Sequence, residues 1–283
     1  MHWRPSVVAA TAAVIVVLGG CGSGGGGPAA GKTATSSTTK PPRSSTTHSA
    51  TSSTTAPTTE SLKQIYAKTV AEQTTAYKVA ETFNANGTPG TLSASGVSSF
   101  TRRLATYDQT AASAGKTTTE QVIYIGPAEY LAVPPSQRAT ASAGKPWIKL
   151  TGLSATAAAA GPLDVLRLLQ ADGTGPRGVG IEQVDGVATT EYRSRISLAS
   201  KATYSPLLKA MTQQFAEEFG ISTVSINVWV DSSGRARRLR WILNGATNKE
   251  NGTVTLTRPG VTLHLVAPPT SQVDVKVAPS GPS

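Results

Sequence analysis

Val224-Ser225-Ile226-Asn227-Val228-Trp229-Val230-Asp231-Ser232-Ser233-Gly234, continuing into Arg237-Arg238-Leu239-Arg240-Trp241-Ile242-Leu243, is the stretch that decides the fold. In its first arm Val224, Ile226, Val228 and Val230 alternate with Ser225, Asn227 and Trp229. Successive side chains of a strand point to opposite faces, so this alternation is that of a strand with one face buried. Asp231-Ser232-Ser233-Gly234 is turn chemistry. In the second arm Arg237, Leu239, Trp241 and Leu243 face opposite to Arg238, Arg240 and Ile242. Two half-buried strands joined by a tight turn form an antiparallel hairpin.

The same grammar extends outward. Gly178 to Val184 and Val187 to Leu198 flank Asp185-Gly186, a two-residue hairpin signal. Tyr192, Ser194, Ile196 and Leu198 share one face there, and Glu191, Arg193 and Arg195 the other. A helix is predicted from Tyr204 to Phe219, with Leu207, Leu208, Met211, Phe215 and Phe219 on one stripe and Gly220 as its stop. Further upstream, Glu120 to Ile125 and Glu129 to Val133 are strands around Gly126-Pro127, and Pro146 to Leu150 is another. Ala157 to Ala160 and Leu163, Val165-Leu166 and Leu168-Leu169 read as a short helix after Pro162, which suits a first helical turn. A helix over 61–76, with Ser61 as a candidate cap, precedes a strand from Tyr77 to Phe83 that ends at Asn86-Gly87. Strands are also predicted over Val97 to Tyr107, Thr253 to Thr257 and Val261 to Val266, before Pro268-Pro269 and a polar tail. Some 10–11 short strands in hairpins, with few helices, exclude a doubly wound parallel sheet. The expected class is α+β: a large curved antiparallel sheet, a half-barrel, with helices covering its concave face. This domain is assigned to 60–278, with a tail over 279–283.

The N-terminal sixty residues have a different composition. Met1 to Arg4 carry one charge, and the apolar run from Val7 to Leu18 is only twelve residues long. A helical span of a hydrocarbon core about 30 Å thick needs about twenty. A charged start, a short apolar run and small residues make residues 1–20 a secretory signal peptide. Leu18-Gly19-Gly20-Cys21 matches the lipobox of bacterial lipoproteins, and Cys21 is the only cysteine in the 283 residues. A lone thiol in an oxidising compartment is anomalous, and lipidation removes the anomaly. Two acyl chains anchor stably where one anchors marginally. Cys21 is therefore the expected lipidation site and the expected tether to the outer face of the cell membrane. Residues 22–59 contain Gly, Pro, Ser, Thr and Ala with a few basic residues and no acid. Such a segment cannot offset its own ordering entropy and reads as a disordered linker.

Beyond residue 59 stand 22 Lys and Arg against 16 acids, a net charge of +6. That balance favours acidic surfaces, but the cations are not interleaved with aromatics as a nucleic-acid reader requires, so no nucleic-acid partner is expected. Gly26-Gly27-Pro28-Ala29-Ala30-Gly31-Lys32-Thr33 spells a P-loop without the strand and helix that the motif needs, and is a chance match. No nucleophile elbow, His-Glu-x-x-His or metal-ligand spacing occurs, so no catalytic residue, metal or cofactor is assigned. His264, between Leu263 and Leu265, reads as a solvated strand residue. Arg235, Arg237, Arg238 and Arg240 could meet phosphate or lipid headgroups, or simply form an outward basic face. Aromatics are 5% of the chain, a modest supply for filling so large a sheet, which leaves room for an apolar cavity.

Gly144-Lys145-Pro146-Trp147-Ile148-Lys149-Leu150, Val184-Asp185-Gly186-Val187 leading to Tyr192-Arg193, and Val228-Trp229-Val230-Asp231 with Gly234-Arg235 and Arg238-Leu239 carry a family resemblance. So does Thr262-Leu263-His264-Leu265-Val266-Ala267-Pro268-Pro269, which looks like a closing strand. In this order, behind a lipobox and a Ser/Thr linker, they resemble the LolA/LolB-like lipoproteins, in particular the actinobacterial LppX/LprG group. The resemblance implies a half-barrel with helices across its opening and a hydrophobic cavity for acyl chains. It further implies that lipids or lipidated molecules are bound and carried or presented in the cell envelope, without catalytic residues. The strand positions nominated for that cavity are Val122, Tyr124, Ile196, Ile226, Val228, Leu239 and Trp241. The alternative is a surface interaction or sensing lipoprotein on the same fold, with a filled core and no lipid cargo. The partners expected are the membrane through Cys21 and a lipid or lipidated ligand; the residues identify no export partner.

Overall fold

The structure, a computed structural model, describes residues 59–151, 163–199 and 201–277. The signal peptide, Cys21, the linker up to residue 58, the helix expected over Ala157 to Ala160, and the tail lie outside the described residues. In chain order the elements are α1 (Thr59–Val70), β1 (Thr74–Ala85), β2 (Thr88–Ser99), β3 (Leu104–Ser113), β4 (Lys116–Ile125) and β5 (Ala128–Ala132). Then come α2 (Arg138–Ala141), β6 (Trp147–Thr151), a 3₁₀ helix (Asp164–Gln170), β7 (Arg177–Val184), β8 (Val187–Ser197) and α3 (Pro206–Phe219). The last four strands are β9 (Thr223–Asp231), β10 (Ala236–Asn244), β11 (Lys249–Pro259) and β12 (Val273–Val277).

All twelve strands join one open sheet in the order β12-β6-β5-β4-β3-β2-β1-β11-β10-β9-β8-β7. Every neighbouring pair is antiparallel except β12 on β6, which is parallel. The deciding hairpin folds as its alternation predicts: Val228 faces Leu239 and Ile226 faces Trp241 across β9 and β10. The half-barrel of the α+β class is therefore present, with a strand count of twelve because of three local departures.

First, the strand expected over Val97 to Tyr107 is two strands, β2 and β3, separated by a turn at Phe100–Arg103. The Phe100 amide bonds back to Gln73 O at 2.8 Å, and Ser99 Oγ accepts from the Arg102 amide at 3.0 Å, which fixes the reversal. β2 is built of Thr, Ser, Gly and Ala with only Leu92 and Val97 as larger apolar residues, so its alternation is faint in the sequence.

Second, Val261 to Val266 is not a strand, which corrects both the periodic reading and the closing strand implied by the resemblance. Gly260, at φ +72°, turns the chain out of β11, and its amide bonds Thr74 O at 2.8 Å. Seven strand spacings separate β11 from the β12 edge, about 34 Å at ~4.8 Å each. The thirteen residues 260–272 reach about 43 Å when extended. The segment is a strap that links β11 to the far edge of the sheet, and a chain that runs across strands cannot pair alongside one.

Third, β12 lies where only a tail was expected. It pairs Val273 with Trp147 and Val277 with Thr151.

The helices also shift. α1 ends at Val70 instead of 76, because Gln73 turns at φ +61° and Thr74-Thr75 already belong to β1. It begins at Thr59, which puts Ser61 inside its first turn. α3 keeps its expected end, with Gly220 left-handed at φ +64°. Its start is set by Ser205, whose side chain accepts from the Leu208 amide, and by Pro206 in the first turn.

One apolar core lies between the concave face and these helices. Leu62 and Ile65 of α1, Leu208, Met211, Phe215 and Phe219 of α3, and Leu166, Leu168 and Leu169 of the 3₁₀ helix pack on inward side chains such as Val79, Val122, Val228 and Val254. Gly252 is required where Trp241 crosses β11: a Cβ there would sit 2.0 Å from the indole.

Candidate functional site

The seven nominated positions occupy the inward side of β4, β8, β9 and β10. Val122, Ile196, Val228, Leu239 and Trp241 are 0% exposed, Ile226 is 1% and Tyr124 is 7%. Six of them are packed against neighbouring core side chains, and Tyr124 opens onto a pocket. That pocket has a volume of about 170 Å³ and lies where the Phe100–Arg103 turn meets α1, the 3₁₀ helix and the start of α3. Tyr66, Phe100, Leu104, Ala105, Tyr124, Leu163, Leu166 and Leu207 supply its apolar wall. Arg102, Arg103 and Arg167 bring positive charge to it. Arg167 is spent on Asp164 at 2.9 Å, whereas Arg102 and Arg103 make no ion pair among the described residues. Phe100 and Leu104 lie inside the strand expected over Val97 to Tyr107, and the turn between them, which builds the pocket wall, has no signal in periodicity.

A second feature lies deeper in the same concavity. Glu81, Glu120, Glu129 and Glu250 are 3–5% exposed on the inward face of β1, β4, β5 and β11. Glu81 stands opposite Gly252 and Phe83 opposite Glu250, so the two carboxyls are diagonal neighbours on adjacent strands. Trp241 Nε1 donates to Glu250 Oε1 at 2.7 Å, and Gln109 Nε2 donates to Glu120 Oε2 at 3.2 Å. Neither carboxyl oxygen of Glu81 has a hydrogen-bond partner among the described residues.

Burial, and next the nearby Glu250, hold the Glu81 carboxyl well above the usual range. Burial pushes Glu120 up to about 7 against the opposing hydrogen bond from Gln109. Burial likewise takes Glu129 to about 7, opposed by a hydrogen bond from Tyr124 and reinforced by Glu120. These groups were not assigned a role from the sequence. The signal was there: Glu81 shares the phase of Tyr77, Val79 and Phe83, an acid on an apolar face.

The remaining polar candidates are dispersed. Arg235 pairs with Asp231 and Glu72, Arg238 with Glu182 at 2.9 Å, and Arg240 Nε donates to Asn251 at 2.9 Å. Arg237 is buried at the bulge between Ala236 and Arg238. His264 is exposed on the strap. Among the described residues no three His, Cys, Asp or Glu side chains are grouped to hold a metal ion, and no helix is long and apolar enough to cross a membrane.

No family model matches the chain, and no curated protein does. Among solved structures it is similar to LprF from Mycobacterium bovis, with 14% identity and a TM-score of 0.46 over 76% of this chain and 99% of that one. The lipoprotein LppX of Mycobacterium tuberculosis is similar with 14% identity and a TM-score of 0.48, over 73% of this chain and 96% of that one. The Pseudomonas aeruginosa MucA/MucB complex contains a more distant likeness, with 10% identity and a TM-score of 0.30 over 71% and 55% of the two chains.

Proposed function

We propose that this chain is a cell-envelope lipoprotein, tethered outside the cytoplasm through acylated Cys21, that takes acyl chains of lipids or lipidated molecules into its concavity and carries or presents them. The observation that supports this most directly is the pocket at the Phe100–Arg103 turn, with an apolar wall and a polar remainder, which abuts the core at Tyr124. Its 170 Å³ is below the ~300–1,000 Å³ of an ordinary ligand site. A whole acyl chain therefore requires the 3₁₀ helix and α1 to shift off the sheet and enlarge it. Arg102 and Arg103, free of ion pairs among the described residues, suit a polar head left at the opening.

Native mass spectrometry of chain purified without detergent tests the cargo. Retained acyl species that disappear on organic extraction are expected, and a ligand-free mass that accepts no added fatty acid would remove the cargo reading. The anchor is tested separately by labelling with an alkyne fatty acid, which should mark the wild type and not Cys21→Ser.

A second reading has its own support. Six of the nominated positions are already packed solid, as in an interaction or sensing lipoprotein with a filled core. Anchoring without retained lipid is the outcome that selects it.

A further inference from the structure

We infer that the outward face of β8, β9, β10, β11 and β1 is a docking surface for an anionic lipid bilayer. The strand registers place its side chains. One cross-strand row runs Arg193, Asn227, Arg240, Thr253, Ala80. The row on one side runs Glu191, Trp229, Arg238, Thr255, Lys78, and the row on the other runs Arg195, Ser225, Ile242, Asn251, Thr82. Lys249, between Asn244 and Asn84, begins a fourth. Six cations thus share one sheet face, each row a strand pair step from the next.

Against them stand three acids at one border, of which Asp231, opposite Thr189 at the end of β9, is held by Arg235. Glu191 accepts from Arg193, and Glu182 of β7 from Arg238 and Trp229. The rest of the face is Ser, Thr, Asn, Ala and one Ile. The outward side of β2, β3 and β4 carries Ser93, Ser95, Thr110 and Thr119 with a single acid, Asp108, and no cation, and beyond them β6 adds Lys149, which lies over the Tyr130 ring.

The layout selects the occupant. Arg193 and Arg240 lie two strands apart across Asn227, about 10 Å at ~4.8 Å per strand, so the cations are spread over the face and are not gathered round one point. No residue of this face lines the pocket at the Phe100–Arg103 turn, and a plane of separated charges matches a plane of headgroups. The indole of Trp229 is covered by the Arg238 guanidinium at 5.2 Å, which leaves no free aromatic for a nucleobase to stack on. Each cation near an anionic leaflet raises partitioning about fivefold. This surface is independent of the acyl-cargo reading, since the cargo would sit on the opposite face.

The test is co-sedimentation of the full chain carrying Cys21→Ser, so that no acyl anchor contributes, with phosphatidylcholine vesicles and with vesicles of equal phosphatidylglycerol and phosphatidylcholine. The readout is the ratio of the two partition coefficients, from which any apolar contribution common to both cancels. A ratio well above one, collapsing at about 0.5 M salt, is expected. Arg193→Gln with Arg240→Gln should lower it about 25-fold, and Arg193→Glu with Arg240→Glu further, with circular dichroism unchanged. Lys116→Glu with Lys209→Glu, away from the face, supplies the same charge change as a control. A ratio near one, or equal losses in the control pair and the Arg193/Arg240 pair, overturns the proposal.

Discussion

Glu120 and Glu129 set the response of this protein to pH. Their carboxyls ionise near 4.5 when unfolded and near 7 when folded, so the folded state holds protons that the unfolded state gives up. Stability from this source is fully present below pH 4.5 and is lost as pH rises through about 7, by about 3 kcal/mol for each group on the scale of 1.36 kcal/mol per pH unit. Urea midpoints should fall between pH 5 and pH 8, and Glu120→Gln should flatten that fall. A midpoint that rises over this interval would contradict the assignment. Glu81, with no partner for either oxygen among the described residues, steepens the same trend. The sequence shows each of these acids in an inward phase, yet which acids meet is a matter of register. Glu81 and Glu250 lie 169 positions apart and become neighbours only because β1 pairs with β11.

At the scale of elements, legibility follows side-chain contrast. β8, β9 and β10 alternate apolar with polar or charged residues along most of their length and were readable to within a residue or two, as was α3 with its Gly220 stop. β2 alternates small residues with smaller ones, and the difference between Ala94 and Ser95 is too slight to declare a face. The helix expected from Tyr204 begins in the structure at Pro206, after the Ser205 cap, although the Tyr204 ring is buried with the core. Ser205→Ala should cost about 1 kcal/mol, measurable as a lowered denaturation midpoint with an unchanged slope. No change in midpoint would mean that Pro206 alone fixes the start. The strap over 261–266 keeps the alternation of a strand in its exposure without the hydrogen bonds of one, and periodicity cannot separate the two.

For the whole molecule, the half-barrel class was legible, and its β12 edge was not. Pairing of β12 with β6 joins residues more than 120 positions apart in parallel, and no local pattern encodes such a partner. The candidate site was legible only as an inward face: the nominated residues lie on it, but the pocket forms from a turn and from helices packed across it. A chain ending at Gln272 should lose amide protection in β6 while β9 and β10 keep theirs, as read by hydrogen exchange. Equal loss across the sheet would show that its edges do not open independently. The strap and β12 have a consequence for biosynthesis. A ribosome that stalls before residue 273 leaves the middle of the chain with a row of naked amides, ready to capture another polypeptide. Completion of translation is thus built into the shape, and half-made copies are marked for aggregation or proteolysis by the neighbour they lack.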